Sequence, residues 1–147
     1  MSIILPSFKY YPDPLTNKSI VKSRRACVCC KKSRGYIYAG PVYSEGSTTN
    51  AFAHGALRMG RHKKLDVTFF TEDGVGGNGD WVRVPRSVVQ EITCRTPGFS
   101  GWQQEQWWTH CRDAGRYLGK AGLSELKSYG ADAIEGHPQL YQVRRER

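Results

Sequence analysis

The sequence predicts an α+β fold, in which a small sheet with a zinc-ribbon-like cysteine element precedes two or three packed helices. Aromatic and β-branched residues cluster in the first half of the chain, and this composition favours strands. In the second half, apolar residues recur at three- and four-residue steps, which is typical of helices. A chain of 147 residues has the length of one ordinary domain. We therefore expect a single domain over residues 1–147.

The first half predicts irregular chain followed by short strands. Residues 1–26 contain three prolines, so we expect an extended segment that wraps onto the domain. Residues 35–43 are rich in aromatic side chains, and residues 64–70 alternate apolar with polar positions, so both predict strands. The glycine-rich residues 74–79 then form a turn, because they lack the lysine and hydroxyl residue of a phosphate-binding loop.

The second half predicts helices. One helix follows Pro85 and ends at Thr96, before a Pro-Gly pair. A longer helix begins at Ser100, within a capping-box pattern, and ends at Gly119. We expect its apolar stripe to lie in the core, and this stripe contains Trp107, Cys111, Ala114 and Leu118. A third, short helix is expected near Leu123.

The charge of the chain favours polyanionic partners, because the formal net charge is +9. No acidic residue lies between Asp13 and Glu45, and seven cations lie in that interval: Lys18, Lys22, Arg24, Arg25, Lys31, Lys32 and Arg34. This interval is either a solvated surface or a nucleic-acid-binding surface over residues 18–34. The candidate contact residues are Lys31, Lys32, Arg34 and Trp102.

Composition also predicts a compartment. The chain is 39% hydrophobic with a mean hydropathy of −0.57, and no apolar run approaches the roughly 20 residues of a membrane helix. The first residues lack the basic start of a secretory signal. Five cysteines at uneven spacings argue against a disulfide framework. We therefore expect a cytoplasmic protein with reduced thiols and no membrane span.

Cys27 and Cys30 form a Cys-x-x-Cys pair, the spacing by which two thiolates of one tight turn reach a single zinc ion. A closed structural zinc site needs about four ligands, so this pair is half a metal site. His54 and His62 are too far apart in sequence for a usual pair of histidine ligands. We therefore expect this chain to bind zinc weakly or not at all.

The most distinctive segment is residues 95–115, where a Thr-Pro-Gly turn precedes three of the four tryptophans and a His-Cys pair. Other characteristic segments are residues 8–14, the Cys27-x-x-Cys30 turn, residues 35–41 and residues 74–81. Together these segments resemble the CbrC family. The resemblance implies a small bacterial protein associated with stress or colicin tolerance, without established catalytic chemistry.

In the CbrC family a second cysteine pair follows the strand, and the resemblance implies a zinc-ribbon arrangement of the two pairs. This chain has no cysteine in residues 47–62. Codons for residues 50–61, read in a shifted frame, permit a Cys-Pro-Trp-Cys segment, so we interpret the difference as a compensated frameshift or a sequencing error. The zinc-ribbon element is then degenerate, and we expect local disorder from Ser47 to Arg61.

The tryptophan-rich region also contains side chains that can carry chemistry. His110 and Asp113 are about one helical turn apart, whereas the adjacent His110 and Cys111 point in different directions on a helix. We therefore expect Cys111 in the core rather than in a catalytic Cys-His pair. Trp107 is also predicted to be core, and Trp102 stays open between core packing and base stacking.

The sequence shows neither paired carboxylates suited to acid-base catalysis nor a hydrolase motif, so an enzyme is the less favoured class. We predict a non-enzymatic bacterial stress or colicin-tolerance protein that acts by binding an unknown protein partner. The alternative is a nucleic-acid-binding module that uses residues 18–34, with weak and non-specific binding. A cysteine-dependent enzyme is the third hypothesis.

Overall fold

The computed structural model describes residues 5–44, 51–77, 79–100, 106–120, 122–128 and 130–131. The elements of these residues are, in chain order, β1 (Ile20–Lys22), β2 (Tyr36–Tyr38), β3 (Val42–Tyr43), α1 (His54–Arg58), β4 (Thr68–Phe69), α2 (Arg86–Arg95), β5 (Thr109–His110), β6 (Asp113–Ala114) and α3 (Leu123–Ser128). Short 3-10 helices span Arg61–Leu65, Phe70–Glu72 and Gly79–Arg83. This mixture confirms the predicted α+β class. Among the residues that the structure describes, none of the helices could span a lipid bilayer.

The strands form separate two-stranded antiparallel sheets, in which β1 pairs with β2, β3 with β4, and β5 with β6. In the first sheet Ile20 lies opposite Tyr38, and both side chains are buried. A two-stranded sheet is marginally stable by itself in water. The position of each pair therefore depends on its packing against the rest of the protein.

The core is an aromatic-rich cluster that draws on most of the described chain. Its buried members are Phe8, Tyr10, Tyr11, Ile20, Tyr38, Phe52, Leu57, Val67, Phe69, Ile92, Phe99 and Trp107. The ring of Trp107 meets those of Tyr10 and Phe99 edge to face, at centroid distances of 6.5 and 5.0 Å. Such pairs contribute about 0.5–1.5 kcal/mol beyond simple burial. The prediction that Trp107 is a core residue is confirmed.

The proline-rich N-terminal segment wraps onto this core, as predicted. Phe8, Tyr10 and Tyr11 are each at most 1% exposed. The Tyr11 hydroxyl shares a hydrogen bond of 2.8 Å with the hydroxyl of Ser19, which satisfies both buried polar groups. The Tyr10 hydroxyl donates to the carboxylate of Asp113. The segment is therefore held to the second half of the chain by both apolar and polar contacts.

The predicted helix from Ser100 to Gly119 is wrong over the described residues 106–119, where β5 and β6 form a hairpin. The backbone of Cys111 and Arg112 has φ values of 52° and 64°. Two consecutive left-handed residues cannot continue a right-handed helix. Cys111 is exposed and Leu118 is 59% exposed, so the expected apolar stripe does not exist.

The expectation of disorder from Ser47 to Arg61 is wrong over residues 51–61. Phe52 and Leu57 are fully buried, and the backbone forms α1 with a bridge between Ala53 and β2. Apolar burial therefore orders this stretch without a second cysteine pair. The remaining part of that expectation falls on residues outside those described.

The other predicted elements are present in shorter form. The helix after Pro85 is α2, and it ends at Arg95 with Thr96 as its C-cap, at the predicted stop. The expected C-terminal helix is α3. The strand predicted over residues 64–70 is reduced to β4, because Arg61–Leu65 form a 3-10 helix and Asp66 is left-handed at φ 52°.

Candidate binding surface and thiol sites

β1 and β2 belong to one long hairpin over residues 20–38. Its ladder continues past the strands, since the Ser23 N–H donates to the Gly35 carbonyl at 2.9 Å and Ala26 forms a bridge with Ser33. Cross-strand bonds of this kind fix the register of the two arms. The hairpin therefore carries the cysteine turn at its tip, on a defined two-stranded support.

Backbone hydrogen bonds close the tip itself. The Cys27 N–H donates to the Lys32 carbonyl at 3.0 Å, and the Lys31 N–H donates to the Cys27 carbonyl at 2.8 Å. Lys31 turns the chain with a left-handed φ of 56°. The Val28 N–H also donates to the Ala51 carbonyl at 2.9 Å. This last bond ties the tip to the segment that leads into α1.

The thiols of the tip pack against α1 and the residue before it. Cys27 is fully buried in a small cluster with Ala53 and Ala56. Cys29 and Cys30 are partly buried and contact the same cluster. Apolar packing therefore holds the inner face of the turn, in addition to its backbone hydrogen bonds.

The surroundings of the partly buried thiols shift their pKa values in opposite directions. Burial, reinforced by Cys27, raises the pKa of Cys29 to about 11. A backbone hydrogen bond with Lys32 lowers the pKa of Cys30, with smaller contributions from Cys27 and Arg34. Cys30 is therefore a better source of thiolate than Cys29.

The described residues do not contain a group of three or more His, Cys, Asp or Glu side chains arranged to hold a metal ion. His54 is buried beside the ring of Tyr36, with ring centroids 5.9 Å apart, and His62 is buried among other aromatic rings. The expected metal-binding, zinc-ribbon-like element is therefore corrected to a cysteine turn closed by packing and hydrogen bonds. The half site of Cys27 and Cys30, with weak or absent zinc binding, stays a prediction.

The cations of the acid-free interval form what we call the basic surface, and all are exposed: Lys18, Lys22, Arg24, Arg25, Lys31, Lys32 and Arg34. Over the ranges that the structure describes, the ion pairs use other cations, namely Lys9, Arg58, Lys63 and Arg95. The candidate contact residues Lys31, Lys32 and Arg34 lie at the hairpin tip, and their role in binding stays a prediction. Trp102 lies outside the described residues.

A second thiol lies at the β5–β6 turn. The Sγ of Cys111 is 3.9 Å from the Nε2 of His110, and both side chains are exposed. The expectation that Cys111 is core and directed away from His110 is wrong, because the hairpin turn brings both groups to the surface. Asp113 faces a different partner: hydrogen bonds from the Tyr10 hydroxyl and the Ala114 backbone lower the pKa of its carboxyl.

A cavity of about 300 Å³ adjoins this thiol, and its lining consists of Asp80, Arg83, Thr109, His110, Cys111 and Arg112. Asp80 and Arg83 belong to the 3-10 helix Gly79–Arg83, which packs against β5. Sequence reasoning missed both residues. No local pattern connects them with a turn that lies much later in the chain.

Comparisons with known sequences point to one class of protein. The model of a family described as Uncharacterised protein family (UPF0167) matches residues 5–144. A UPF0167 protein of Mycobacterium bovis and one of Mycobacterium tuberculosis are each 42% identical over 139 residues, which cover 94% of this chain and 72% of the relative. A UPF0167 protein of Pseudomonas aeruginosa is 35% identical over 136 residues, covering 88% and 72%. No solved structure matches the chain.

The chain therefore belongs to the uncharacterised family UPF0167. This finding corrects the resemblance to the CbrC family, because neither the family description nor the names of these relatives mention CbrC or colicin tolerance. The interpretation of residues 50–61 as a shifted reading frame rests on the same resemblance and is not carried further. The family description assigns no activity, so function has to be argued from the sites.

Proposed function

We propose that this protein acts without catalysis, by binding an acidic partner protein through the basic surface. The observation that supports this proposal is the exposure of seven cations on and beside one hairpin, in an interval that contains no acidic residue. Cations that lack local acids keep a strong positive potential, which steers and holds anionic partners. The bacterial cytoplasm is the compartment we propose, since the five cysteines are free thiols.

The hairpin is suited to this role because its cations are attached to a preorganised backbone. The bonds from Ser23 to Gly35 and from Cys27 to Lys32 hold the two arms together up to the tip. A surface that is already ordered loses less conformational entropy when it binds. The binding energy of each charge contact is then available for affinity.

Duplex nucleic acid is the second candidate partner, and the two-stranded form of the hairpin favours it. An antiparallel ribbon of this kind can enter the major groove of B-DNA. Contacts by Lys31, Lys32 and Arg34 to phosphates would give binding that is indifferent to sequence and falls steeply with salt.

The test compares two charge-reversed variants with the same change in net charge. Lys22→Glu with Lys32→Glu alters the basic surface, whereas Lys64→Glu with Lys127→Glu alters exposed lysines elsewhere. Binding of a labelled polyglutamate peptide and of a labelled DNA duplex is measured by fluorescence anisotropy at low and physiological salt. We expect the first variant to lose about tenfold or more in affinity and the second to change little.

The two probes separate the candidate partners. Tighter binding of the peptide than of a duplex of equal charge supports the acidic protein partner, and the reverse order supports nucleic acid. Equal losses in both variants would show that net charge, rather than the basic surface, is responsible, and the proposal would be rejected.

A further inference from the structure

The β5–β6 turn has an unusual composition for its backbone. Its two residues, Cys111 and Arg112, are both left-handed, with φ values of 52° and 64°, as in the two-residue turns that normally carry asparagine and glycine. A left-handed backbone is unfavourable for a non-glycine residue. A cysteine and an arginine are not required for this turn geometry, so we ask what their side chains do on the protein surface.

Cys111 is the most accessible of the five thiols and has a proton acceptor beside it. The other cysteines are buried or partly buried, whereas Cys111 is exposed. The Nε2 of His110 lies 3.9 Å from its sulfur, within reach of a thiol hydrogen bond. An imidazole in this position can take the thiol proton and leave the nucleophilic thiolate.

The adjoining cavity of about 300 Å³ supplies cationic walls. Two arginines, Arg83 and Arg112, are among its lining residues, against one acidic residue, Asp80. The Arg112 Nε also approaches the Arg83 carbonyl at 3.4 Å, which places the turn next to the 3-10 helix. The volume is at the lower end of small-molecule sites. A small anion with an electrophilic group therefore fits this cavity in both size and charge.

We propose that Cys111 is a site of S-thiolation by anionic low-molecular-weight disulfides. His110 takes the proton of the Cys111 thiol, and the thiolate sulfur attacks one sulfur of the bound disulfide. A new S–S bond forms to Cys111 as the old S–S bond breaks. The leaving thiolate takes the electron pair of that bond and is protonated by His110 or by water. The protein thiol is oxidised to a mixed disulfide, and the disulfide reagent is reduced to one free thiol.

A disulfide is an electrophile that this site can use with the groups it has. Acyl transfer develops charge on an oxyanion and depends on preorganised donors for it. Thiol–disulfide exchange needs only a thiolate, access and a leaving thiol. Cys111 with His110 meets those requirements, and the two arginines select an anionic reagent.

The experiment measures the reaction of the whole chain with two aromatic disulfides. Dithiobis(nitrobenzoate) is dianionic at neutral pH, and dithiodipyridine is neutral. Each rate is divided by the rate with 2-mercaptoethanol, an uncharged thiol, so that the intrinsic reactivity of the reagent cancels. Peptide mass spectrometry then identifies which cysteine carries the adduct. We expect the first adduct on Cys111, and a normalised rate about tenfold higher for the anionic reagent.

Matched variants test the roles of individual residues. Arg83→Gln should lower the preference for the anionic reagent several-fold, whereas Arg86→Gln, an exposed arginine that does not line this cavity, should leave it unchanged. His110→Asn should slow both reagents alike, and Cys111→Ser should abolish the first adduct. A first adduct on Cys29 or Cys30, equal normalised rates, or equal effects of the two arginine variants would each overturn the proposal.

Discussion

The imidazole of His62 is an unfavourable group in the core. Its side chain is fully buried, with ring centroids 4.8 Å from Phe69 and 6.4 Å from Phe52. Among the described residues, neither ring nitrogen has a hydrogen-bond partner of normal geometry. The nearby backbone of Thr93 has a smaller effect that raises the pKa. Burial, helped by the charge of Lys63, lowers the pKa of His62 to about 4.

Replacing His62 with leucine should stabilise the fold, and more so in acid. An unsatisfied buried polar group costs about 1–3 kcal/mol, which the substitution removes at neutral pH. On folding, the pKa of His62 falls from its ordinary 6.5 to about 4, so the unfolded chain binds the proton more tightly. Above the unfolded pKa of 6.5 the imidazole is neutral in both states, so its protonation does not affect the free energy of unfolding. As the pH falls from 6.5 towards 4, the unfolded chain takes up the proton first and the free energy of unfolding decreases. At about 1.4 kcal/mol per pKa unit, the loss is about 3 kcal/mol.

Urea unfolding followed by tryptophan fluorescence measures both effects. The free energy of unfolding of His62→Leu should exceed that of the unsubstituted chain by about 1–3 kcal/mol near neutral pH. This difference should widen by about 3 kcal/mol near pH 4. Other groups that titrate in the interval, including His54, are present in both chains, so the difference isolates His62.

His62→Gln is the matched control, because glutamine stays polar but does not titrate. Relative to the unsubstituted chain, it should show the same widening towards pH 4 as His62→Leu, but without the gain at neutral pH. A difference between His62→Leu and the unsubstituted chain that does not change with pH, or a less stable leucine variant at every pH, would refute the assignment of a buried neutral imidazole.

Three further predictions follow from packing and ligand number. Trp107→Ala should lower the free energy of unfolding by about 3–5 kcal/mol, whereas Trp108→Ala should change it little because Trp108 is 79% exposed; thermal melts compare the two. Gly98→Ala should destabilise by about 1–3 kcal/mol, since the added Cβ would lie within 2.9 Å of two aromatic side chains. Gly55→Ala meets no atom of the described residues within 4 Å and should be neutral or stabilising; urea unfolding compares the two variants. Elemental analysis of the purified chain should find much less than one zinc per chain, and stoichiometric zinc that disappears in Cys27→Ser would contradict the half site.

Local signals account for the parts of the fold that the sequence predicts. α2 follows Pro85, whose fixed φ suits a helix start, and ends at Arg95, with Thr96 as the C-cap before a second proline. These effects act within a few residues and need no knowledge of the tertiary structure. The exposure of the basic surface is equally local, because a run of cations stays in water in almost any fold.

The hairpin at β5 and β6 could not be predicted from periodicity. Trp107 is buried by the rings of Tyr10 and Phe99, which come from other parts of the chain, and not by one face of a helix. The cavity beside Cys111 depends in the same way on Arg83, which reaches it through the packing of a 3-10 helix on β5. Such long-range contacts leave no trace in the spacing of apolar residues.

The sequence analysis does not predict that residues 51–61 are structurally ordered, and the reason is a different one. The expectation of disorder treats a second pair of metal ligands as necessary to hold this segment. Phe52 and Leu57 are fully buried, and burial of each such side chain contributes about 1.5–3 kcal/mol. Hydrophobic burial alone is therefore sufficient to explain why this segment is ordered.

The conformation of the hairpin over residues 20–38 also depends on apolar packing against residues 51–61. Cys27 is buried against Ala53 and Ala56, and the Val28 N–H is bonded to the Ala51 carbonyl, so the tip is anchored to the ordered segment by contacts that need no metal. The cations at the tip consequently keep a defined spacing. Charge reversal at the exposed lysines should weaken the proposed anion binding without altering the thiol packing, whereas substitution of the buried thiol should change the packing without altering the charge. The half site and the basic surface can therefore be tested independently, although they share one turn.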